Sequence, residues 1–142
     1  MITQAKDWDS ITLDWDNYCY FNINNHRIKV YEFLKASAEH ITIYESEKGL
    51  NLVIRLKNPV NTIEMFFIRS ILYDDLFRQR NDVRKYWDNQ MHRINRIWTV
   101  KNGYEKRLIF TGKGEQLTNT VYEDVLELLK SKVKKESETK ND

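Results

Sequence analysis

The sequence predicts an α+β domain in which helices pack against a mainly antiparallel sheet. Segments of strict apolar and polar alternation, typical of strands, lie between segments whose apolar residues recur at helical spacing. Two turn signals, residues 45–49 and Asn102-Gly103, each separate two strand-like segments and therefore indicate hairpins, which join antiparallel neighbours. Along the chain these patterns predict the order β-α-β-β-α-α-β-β-α.

The first half of the chain contains three predicted strands and one predicted helix. Residues 11–16 alternate strictly and form the first predicted strand, whereas residues 17–22 are ambiguous and could extend it. Residues 24–38 have apolar side chains at helical spacing and predict a helix. Residues 40–44 and 50–56 are predicted strands on either side of the first turn, which gives the first hairpin.

Two helices are predicted after this hairpin. Pro59 is expected to open the first of them, because its fixed φ and missing N–H suit the start of a helix. The chain is then interrupted, and Asp74 or Asp75 is suited to cap a further helix that runs to about Asn89.

The last part of the chain is predicted to contain a second hairpin and a final helix. Residues 94–101 and 105–111 are the predicted strands on either side of Asn102-Gly103. A helix is predicted for residues 119–133, and the polar residues 134–142 are expected to be disordered. We therefore predict a single domain over residues 1–133.

Composition excludes several classes of protein. The chain has 142 residues and one cysteine, Cys19, so no disulfide can form within it. No apolar run approaches the roughly 18 residues of a membrane-spanning helix, and the first residues lack the basic-then-apolar plan of a signal peptide. A soluble cytoplasmic protein is the expectation.

The charge of the chain is unevenly distributed, although its net value is only +2. Residues 1–25 contain one basic and four acidic residues, a net charge of −3, whereas residues 78–107 contain nine basic and three acidic residues, a net charge of +6. Aromatic residues lie among the basic ones, a mixture suited to phosphates and nucleic-acid bases. A solvated face with core aromatics is the alternative interpretation.

Two aspartates share one face of the first predicted strand. Side chains alternate along a strand, so Asp14 and Asp16 point the same way as Thr12. Two neighbouring carboxylates repel each other unless a cation lies between them, and Mg²⁺ prefers oxygen ligands. The pair therefore indicates a metal site.

A second constellation runs from Arg69 to Arg78 and is followed by Asp82 and Arg84. Asp75, Arg78 and Asp82 lie three and four residues apart and share one helix face, where the arginine can pair with either acid. One interpretation is a surface ion-pair ladder with a helix cap. The other is that Asp82 joins Asp14 and Asp16 as a third carboxylate, while arginines of this helix bind nucleotide phosphates.

Three segments resemble the motifs of one enzyme family. They are Leu13-Asp14-Trp15-Asp16-Asn17, the turn and strand Ser46–Val53, and Asp82-x-Arg84 followed by residues 98–103. The pattern from Leu72 to Asp82 is the most distinctive. On these segments the chain resembles the catalytic core of archaeo-eukaryotic primases and primase-polymerases, particularly the short versions carried by archaeal plasmids and viruses.

The resemblance implies an RRM-like or primase-like core that performs metal-dependent nucleotidyl transfer on nucleic acid in DNA replication. The catalytic residues and ligands of Mg²⁺ or Mn²⁺ would be Asp14, Asp16 and Asp82. The nucleotide phosphates would be bound by Ser46, Asn51, Arg78, Arg84 and Lys101. The nucleic acid would be bound by Arg93, Arg96, Trp98, Lys106 and Arg107. The implied partners are nucleic acid, nucleoside triphosphates and a protein of a replication complex, without a membrane.

Two further functions stay open. Asn51 lies where the second motif of the family has a histidine, and asparagine donates hydrogen bonds but cannot carry a positive charge. A catalytically lapsed relative that only binds nucleic acid is therefore one alternative. The other is a small viral interaction module, such as an inhibitor of a host complex, in which the charge asymmetry guides protein docking.

Overall fold

The computed structural model describes residues 7–16, 24–97, 100–101 and 104–140 and contains an α+β fold. A four-stranded antiparallel sheet and four α-helices make up most of it. In chain order the elements are β1 (Asp7–Trp15), α1 (Asn24–Ser37), β2 (Ala38–Glu45), β3 (Leu50–Asn61), α2 (Thr62–Ile71), α3 (Leu76–Trp87), β4 (Val100–Lys101), β5 (Tyr104–Glu105), β6 (Arg107–Gly112) and α4 (Asn119–Lys140). The predicted α+β class with a mainly antiparallel sheet is confirmed, and the structure has one strand more than the predicted order. No helix within the described ranges is long and apolar enough to cross a membrane.

The main sheet has the strand order β1-β3-β2-β6, and every neighbouring pair is antiparallel. Because β1 and β2 are both antiparallel to β3, they run parallel to each other with β3 between them. Helix α1 connects these two parallel strands, which gives a split β-α-β unit. β4 and β5 form a separate two-stranded hairpin.

One face of the sheet carries the hydrophobic core. The side chains of Ile11, Leu13 and Trp15 on β1 are fully buried there, together with their counterparts on β3 and β2. Helices α1 and α4 contribute to the same core, and Tyr31 of α1 stacks on Tyr122 of α4 with ring centroids 4.9 Å apart. Alternation along the strands therefore places the polar residues of β1 on the opposite face.

That opposite face is polar and carries the predicted metal-binding pair. The strand register places Asp14 of β1 beside Asn51 of β3, and Asn51 beside Tyr44 of β2. One pair further along, Thr12 lies beside Val53. The sheet thus presents Asp14 next to an amide side chain rather than next to a second acid.

Helix α2 begins later than the sequence predicts. Pro59 lies within β3, and α2 starts at Thr62, after an N-cap by Asn61 that forms a capping box with Glu64. Pairing of β3 with β2 ends at Leu56, and the register with β1 shifts in this region. The missing N–H of proline therefore interrupts no regular ladder, which explains why the strand continues through it.

The chain between α3 and the second hairpin also differs from the prediction. Residues 94–97 are not a strand, because Ile94 ends a 3₁₀ turn and Asn95 has a left-handed φ of 58°. The hairpin itself is confirmed, since Val100 pairs with Glu105 across the two strands. Its loop, Asn102-Gly103, and residues 17–22 lie outside the described residues.

Helix α4 continues beyond its predicted end at Val133 and reaches Lys140. The sequence prediction had a disordered tail from residue 134 onward. Lys and Glu, which dominate this segment, are good helix formers. Polar composition alone therefore does not end the helix.

Candidate functional site

A cleft of about 730 Å³ lies on the polar side of the sheet and collects most of the predicted site residues. Its walls are the ends of β1 and β3, the turn after β2, one side of α3 and residues 93–97. We call it the β1–α3 cleft. The predicted residues that line it are Asp14, Asp16, Ser46, Asn51, Arg78, Asp82, Arg93, Arg96 and Lys106.

The deeper part of the cleft is acidic. Asn51 is buried and donates from Nδ2 to Asp14 Oδ1 at 2.9 Å and to the Leu50 carbonyl at 3.2 Å. Burial raises the pKa of Asp14 to about 6, and the neighbouring Asp16 carboxylate acts in the same direction. Asp14 therefore changes its charge close to neutral pH.

Asn51 also has an oxygen without a partner. Its Oδ1 is buried and accepts no hydrogen bond from the part of the chain that the structure describes. A buried acceptor in this state costs free energy unless a ligand or water donates to it. The position of Asn51 in the cleft wall makes this oxygen a candidate contact for a bound molecule.

The outer part of the cleft is basic. Lys48, Arg93 and Arg96 are exposed, while Lys85 and Lys106 are half-buried. Arg93 also donates to the side chain of Gln90 at 3.0 Å. The cleft therefore has carboxylates and an amide at its base and cationic groups at its rim.

The outer edge of β1 is closed by side chains rather than by another strand. Asn95 accepts from the Thr12 N–H and donates to the Ser10 carbonyl, both at 2.9 Å. Arg78 donates to the Thr12 carbonyl at 3.0 Å, and Asp74 accepts from the Asp14 N–H at 2.7 Å. These side chains bind backbone N–H and C=O groups at the edge of β1, which would otherwise be free to pair with another strand.

Arg69 is the centre of this arrangement. It is completely buried, and it donates from Nε to Asp74 and from Nη1 to Asp82, each at 2.8 Å. The same Asp82 oxygen accepts from the Asn95 N–H at 2.9 Å. Arg78 adds a further bond to Asp74 at 2.9 Å. We call these residues, Arg69, Asp74, Arg78, Asp82 and Asn95, the edge network.

The edge network changes the interpretation of Asp82. Although Asp82 lines the cleft, its Oδ2 is engaged by Arg69 and Asn95, and its Oδ1 lies 3.9 Å from the Lys85 ammonium. Among the described residues, no group of three acidic, histidine or cysteine side chains is placed to hold a metal ion. The structure thus does not assemble Asp14, Asp16 and Asp82 as a three-carboxylate metal centre.

Asp75 has the predicted capping role, since its side chain accepts from the Arg78 N–H at 3.2 Å. The ion pairs of this helix differ from the predicted ladder, because Arg78 pairs with Asp74. Ser46 stabilises the turn after β2 by accepting from the Gly49 N–H at 3.1 Å. These residues therefore have structural partners of their own, whatever they bind in addition.

Two predicted site residues lie away from the cleft. Arg84 is exposed on α3 but does not line the cleft, and Arg107 pairs with Glu45 on the neighbouring strand. The cleft therefore gives no support to the phosphate or nucleic-acid contacts predicted for Arg84 and Arg107. The backbone of Lys101 belongs to β4, and Trp98 lies outside the described residues, so their predicted contacts stay predictions.

Sequence reasoning assigned no site role to Arg69, Asp74, Phe77 or Asn95, although the first three lie within the constellation of residues 69–78. Arg69 carried a usable signal, because it follows Thr62 and Met65 at core-facing spacing, where a charge needs buried partners. Phe77 is 68% exposed and lines the cleft beside the basic rim. An exposed aromatic side chain in a polar cleft was recognisable only once the fold placed it there.

Comparison of the chain with protein-family models, with curated proteins and with solved structures finds no match.

Proposed function

We propose that this chain binds single-stranded nucleic acid in the β1–α3 cleft, as a primase-like or RRM-like binding module. The observation that carries the proposal is that one cleft combines a basic rim, an exposed phenylalanine and, at its base, the Asn51 Oδ1 atom, a buried acceptor without a hydrogen-bond partner among the described residues. Each feature matches one part of a nucleotide. The sequence resemblance points to the same class of ligand.

The basic rim suits the phosphodiester backbone. Arg93 and Arg96 are exposed and follow each other closely in one irregular segment, and Lys48 lies on the turn across the cleft. Lysine and arginine side chains that contact phosphates release condensed counterions, which makes binding sensitive to salt. The carboxylates lie deeper, so the phosphates can stay at the rim while the bases enter.

The interior suits unpaired bases. Phe77 offers a flat apolar surface on the cleft wall, and base stacking on aromatic side chains tolerates any sequence. Asn51 Oδ1 and the Asp14 carboxylate are acceptors that exocyclic amino groups of bases can satisfy. A duplex keeps its bases stacked and paired, so the proposal favours a single strand.

Fluorescence anisotropy with a labelled single strand and with the corresponding duplex tests this function. We expect the double substitution Arg93→Gln and Arg96→Gln to weaken binding and to reduce the salt slope by about 0.7 for each lost phosphate contact. Arg84→Gln is the matched control, because Arg84 is an exposed arginine on α3 outside the cleft. Equal losses in both variants, or equally tight binding of the duplex, would contradict the proposal.

Phe77→Ala tests the stacking surface. We expect affinity for the single strand to fall by roughly five- to 150-fold, the range for loss of one base–aromatic stack. The matched control is Phe67→Ala, since Phe67 is 67% exposed on α2 but does not line the cleft. Unchanged affinity in Phe77→Ala would remove the stacking surface from the proposal.

Metal-dependent nucleotidyl transfer is the second candidate. Asp14 and Asp16 line the cleft together, and Asn51, whose Nδ2 donates to Asp14, also has a buried Oδ1 without a partner among the described residues. Two carboxylates and a further oxygen on one cleft wall favour a cation near this pair. The third carboxylate is engaged by Arg69, so these residues do not complete the expected centre. Calorimetric titration with Mn²⁺ and a nucleoside triphosphate, on the parent and on Asp14→Asn, tests this candidate. Heat in the parent that is lost in the variant would support it, and no heat in either would reject it.

A further inference from the structure

Six apolar side chains are exposed on the outer surface of the hairpin formed by α2 and α3. Each of them is between 47% and 67% exposed. On each helix they recur at spacings that place them in one stripe. They are Ile63, Phe67 and Ile71 on α2, and Leu76, Val83 and Trp87 on α3. We call this surface the apolar hairpin face.

The two stripes lie side by side. The helices are joined by residues 72–75 and run antiparallel, because Phe66 contacts Tyr86 with ring centroids 5.7 Å apart while Arg69 pairs with Asp82. The residues that follow Phe66 and Tyr86 in the chain both belong to the stripes. Each residue along a helix points about 100° away from the one before it. Because Phe66 and Tyr86 face each other and the two helices run in opposite directions, the next residue on each helix points to the same side of the hairpin, which is the side that faces solvent.

The size of this surface is that of a protein interface. From their exposed fractions, the six side chains present on the order of 700 Å² to solvent. The largest apolar patch of a typical monomer covers roughly 300–600 Å². A standard interface buries about 800 Å² on each partner, so two copies of this surface would supply nearly all of a stable interface.

The exposed charges of the two helices favour a second copy of the chain as the occupant. On α2 the exposed charged residue is Glu64, whereas α3 exposes Arg80 and Arg84. If α2 of one copy lies over α3 of the other, an acidic helix faces a basic helix twice, once on each side of the twofold axis. We therefore propose that the apolar hairpin face is the interface of a twofold homodimer.

Such a dimer leaves the β1–α3 cleft open. The residues of α3 that line the cleft include Phe77, Arg78, Asn81 and Lys85. None of the six residues of the apolar hairpin face lines it. The two surfaces occupy different sides of α3, so each dimer carries two accessible clefts.

Sedimentation equilibrium of the full chain, without nucleic acid, over a range of protein concentrations tests the proposal. We expect the parent to dimerise and Phe67→Asp to raise the dimer dissociation constant roughly 150-fold or more, because twofold symmetry removes the side chain twice. The matched control is Phe77→Asp, which changes an equally exposed phenylalanine in the cleft and should leave the dimer intact. Val83→Asp should repeat the effect of Phe67→Asp from the other helix.

The other results would overturn the proposal. A parent that stays monomeric throughout would do so, as would a dimer that persists in both Phe67→Asp and Val83→Asp. If the parent is monomeric and binds an apolar dye, and Phe67→Asp abolishes the dye binding, the surface would be the docking site of a different protein. Circular dichroism verifies that each variant is folded, and Val83→Asp decides if Phe67→Asp does not fold. Because no nucleic acid is present, a negative result leaves the proposed function of the cleft untouched.

Discussion

Replacement of the buried Arg69 by methionine is the most direct test of the edge network. Methionine fills a similar volume without a charge, so the substitution removes the donors to Asp74 and Asp82 and leaves most of the packing in place. Asp74 keeps its bonds from Arg78 and from the Asp14 N–H, and Asp82 keeps the Asn95 N–H. Two buried carboxylates therefore lose their closest counter-charge.

The expected cost follows from this geometry. The side chains of Arg69 and Asp74 are completely buried, and their ion pair spans 2.7 Å between Nη2 and Oδ2, although Nη2 makes no hydrogen bond within the described residues. Removal of one partner of a buried ion pair costs about 3–5 kcal/mol, because the remaining charge stays buried. For a chain of this size, we expect the unfolding midpoint to fall by about 10 °C.

Urea unfolding at pH 7, followed by circular dichroism, measures this cost. Arg84→Met is the control, because Arg84 is exposed on α3 and surface changes are usually within about 0.5 kcal/mol. Addition of Asp82→Asn to Arg69→Met should recover part of the loss, since it removes one of the uncompensated charges. A cost below about 1 kcal/mol in Arg69→Met, or a double variant whose losses simply add, would refute the reasoning.

Two further predictions concern the same end of β1. The pKa of Asp14 is raised from 3.8 to about 6 in the folded chain. Between these two values the native state binds more protons than the unfolded state. The free energy of unfolding therefore falls as the pH rises from about 4 to about 6. Asp14→Asn should abolish this fall and should be more stable than the parent above pH 6 by up to about 3 kcal/mol. Urea unfolding of the parent and the variant at several pH values measures this difference. The same pH dependence of stability in both proteins would contradict the prediction. Gly49→Ala should destabilise by about 3 kcal/mol, because the new Cβ would lie 1.9 Å from the Trp15 carbonyl oxygen, and parent-like thermal unfolding would show that the turn can move away.

Local patterns explain which parts of the fold were predictable. The helix cap, predicted at Asp74 or Asp75, and the hairpin around Asn102-Gly103 depend on residues close together in the chain, and both are found. The predicted order of strands and helices is found as well, except that the predicted last strand is divided into β5 and β6. The start of α2 is predicted at Pro59 because proline is favourable in the first turn of a helix. That local preference takes no account of the strands that lie beside Pro59 in the fold. Whether Pro59 interrupts a ladder depends on β1 and β2, which no local pattern specifies.

The site was predictable only in part, for a similar reason. Alternation on β1 brought Asp14 and Asp16 to one face, and the basic cluster in residues 78–107 supplied the rim of the cleft. The role of Asp82 could not be inferred, because its partner Arg69 lies on another helix and its other donor, Asn95, is 13 residues away. A carboxylate at the right place in a motif can equally serve a buried ion pair.

The edge network also determines the shape of the cleft. Both backbone groups of Asp14 are bound by the segment between α2 and α3, since its N–H donates to Asp74 and its carbonyl accepts from the Asp75 N–H at 3.0 Å. The base of the cleft and the wall that carries Phe77 are thus joined by directional bonds rather than by apolar packing alone. Because hydrogen bonds fix distances more narrowly than apolar contacts do, the loss of one network bond should change the shape of the cleft before it unfolds the domain. If the cleft binds a single strand as we propose, the affinity measured by anisotropy should therefore fall in a variant that is still folded.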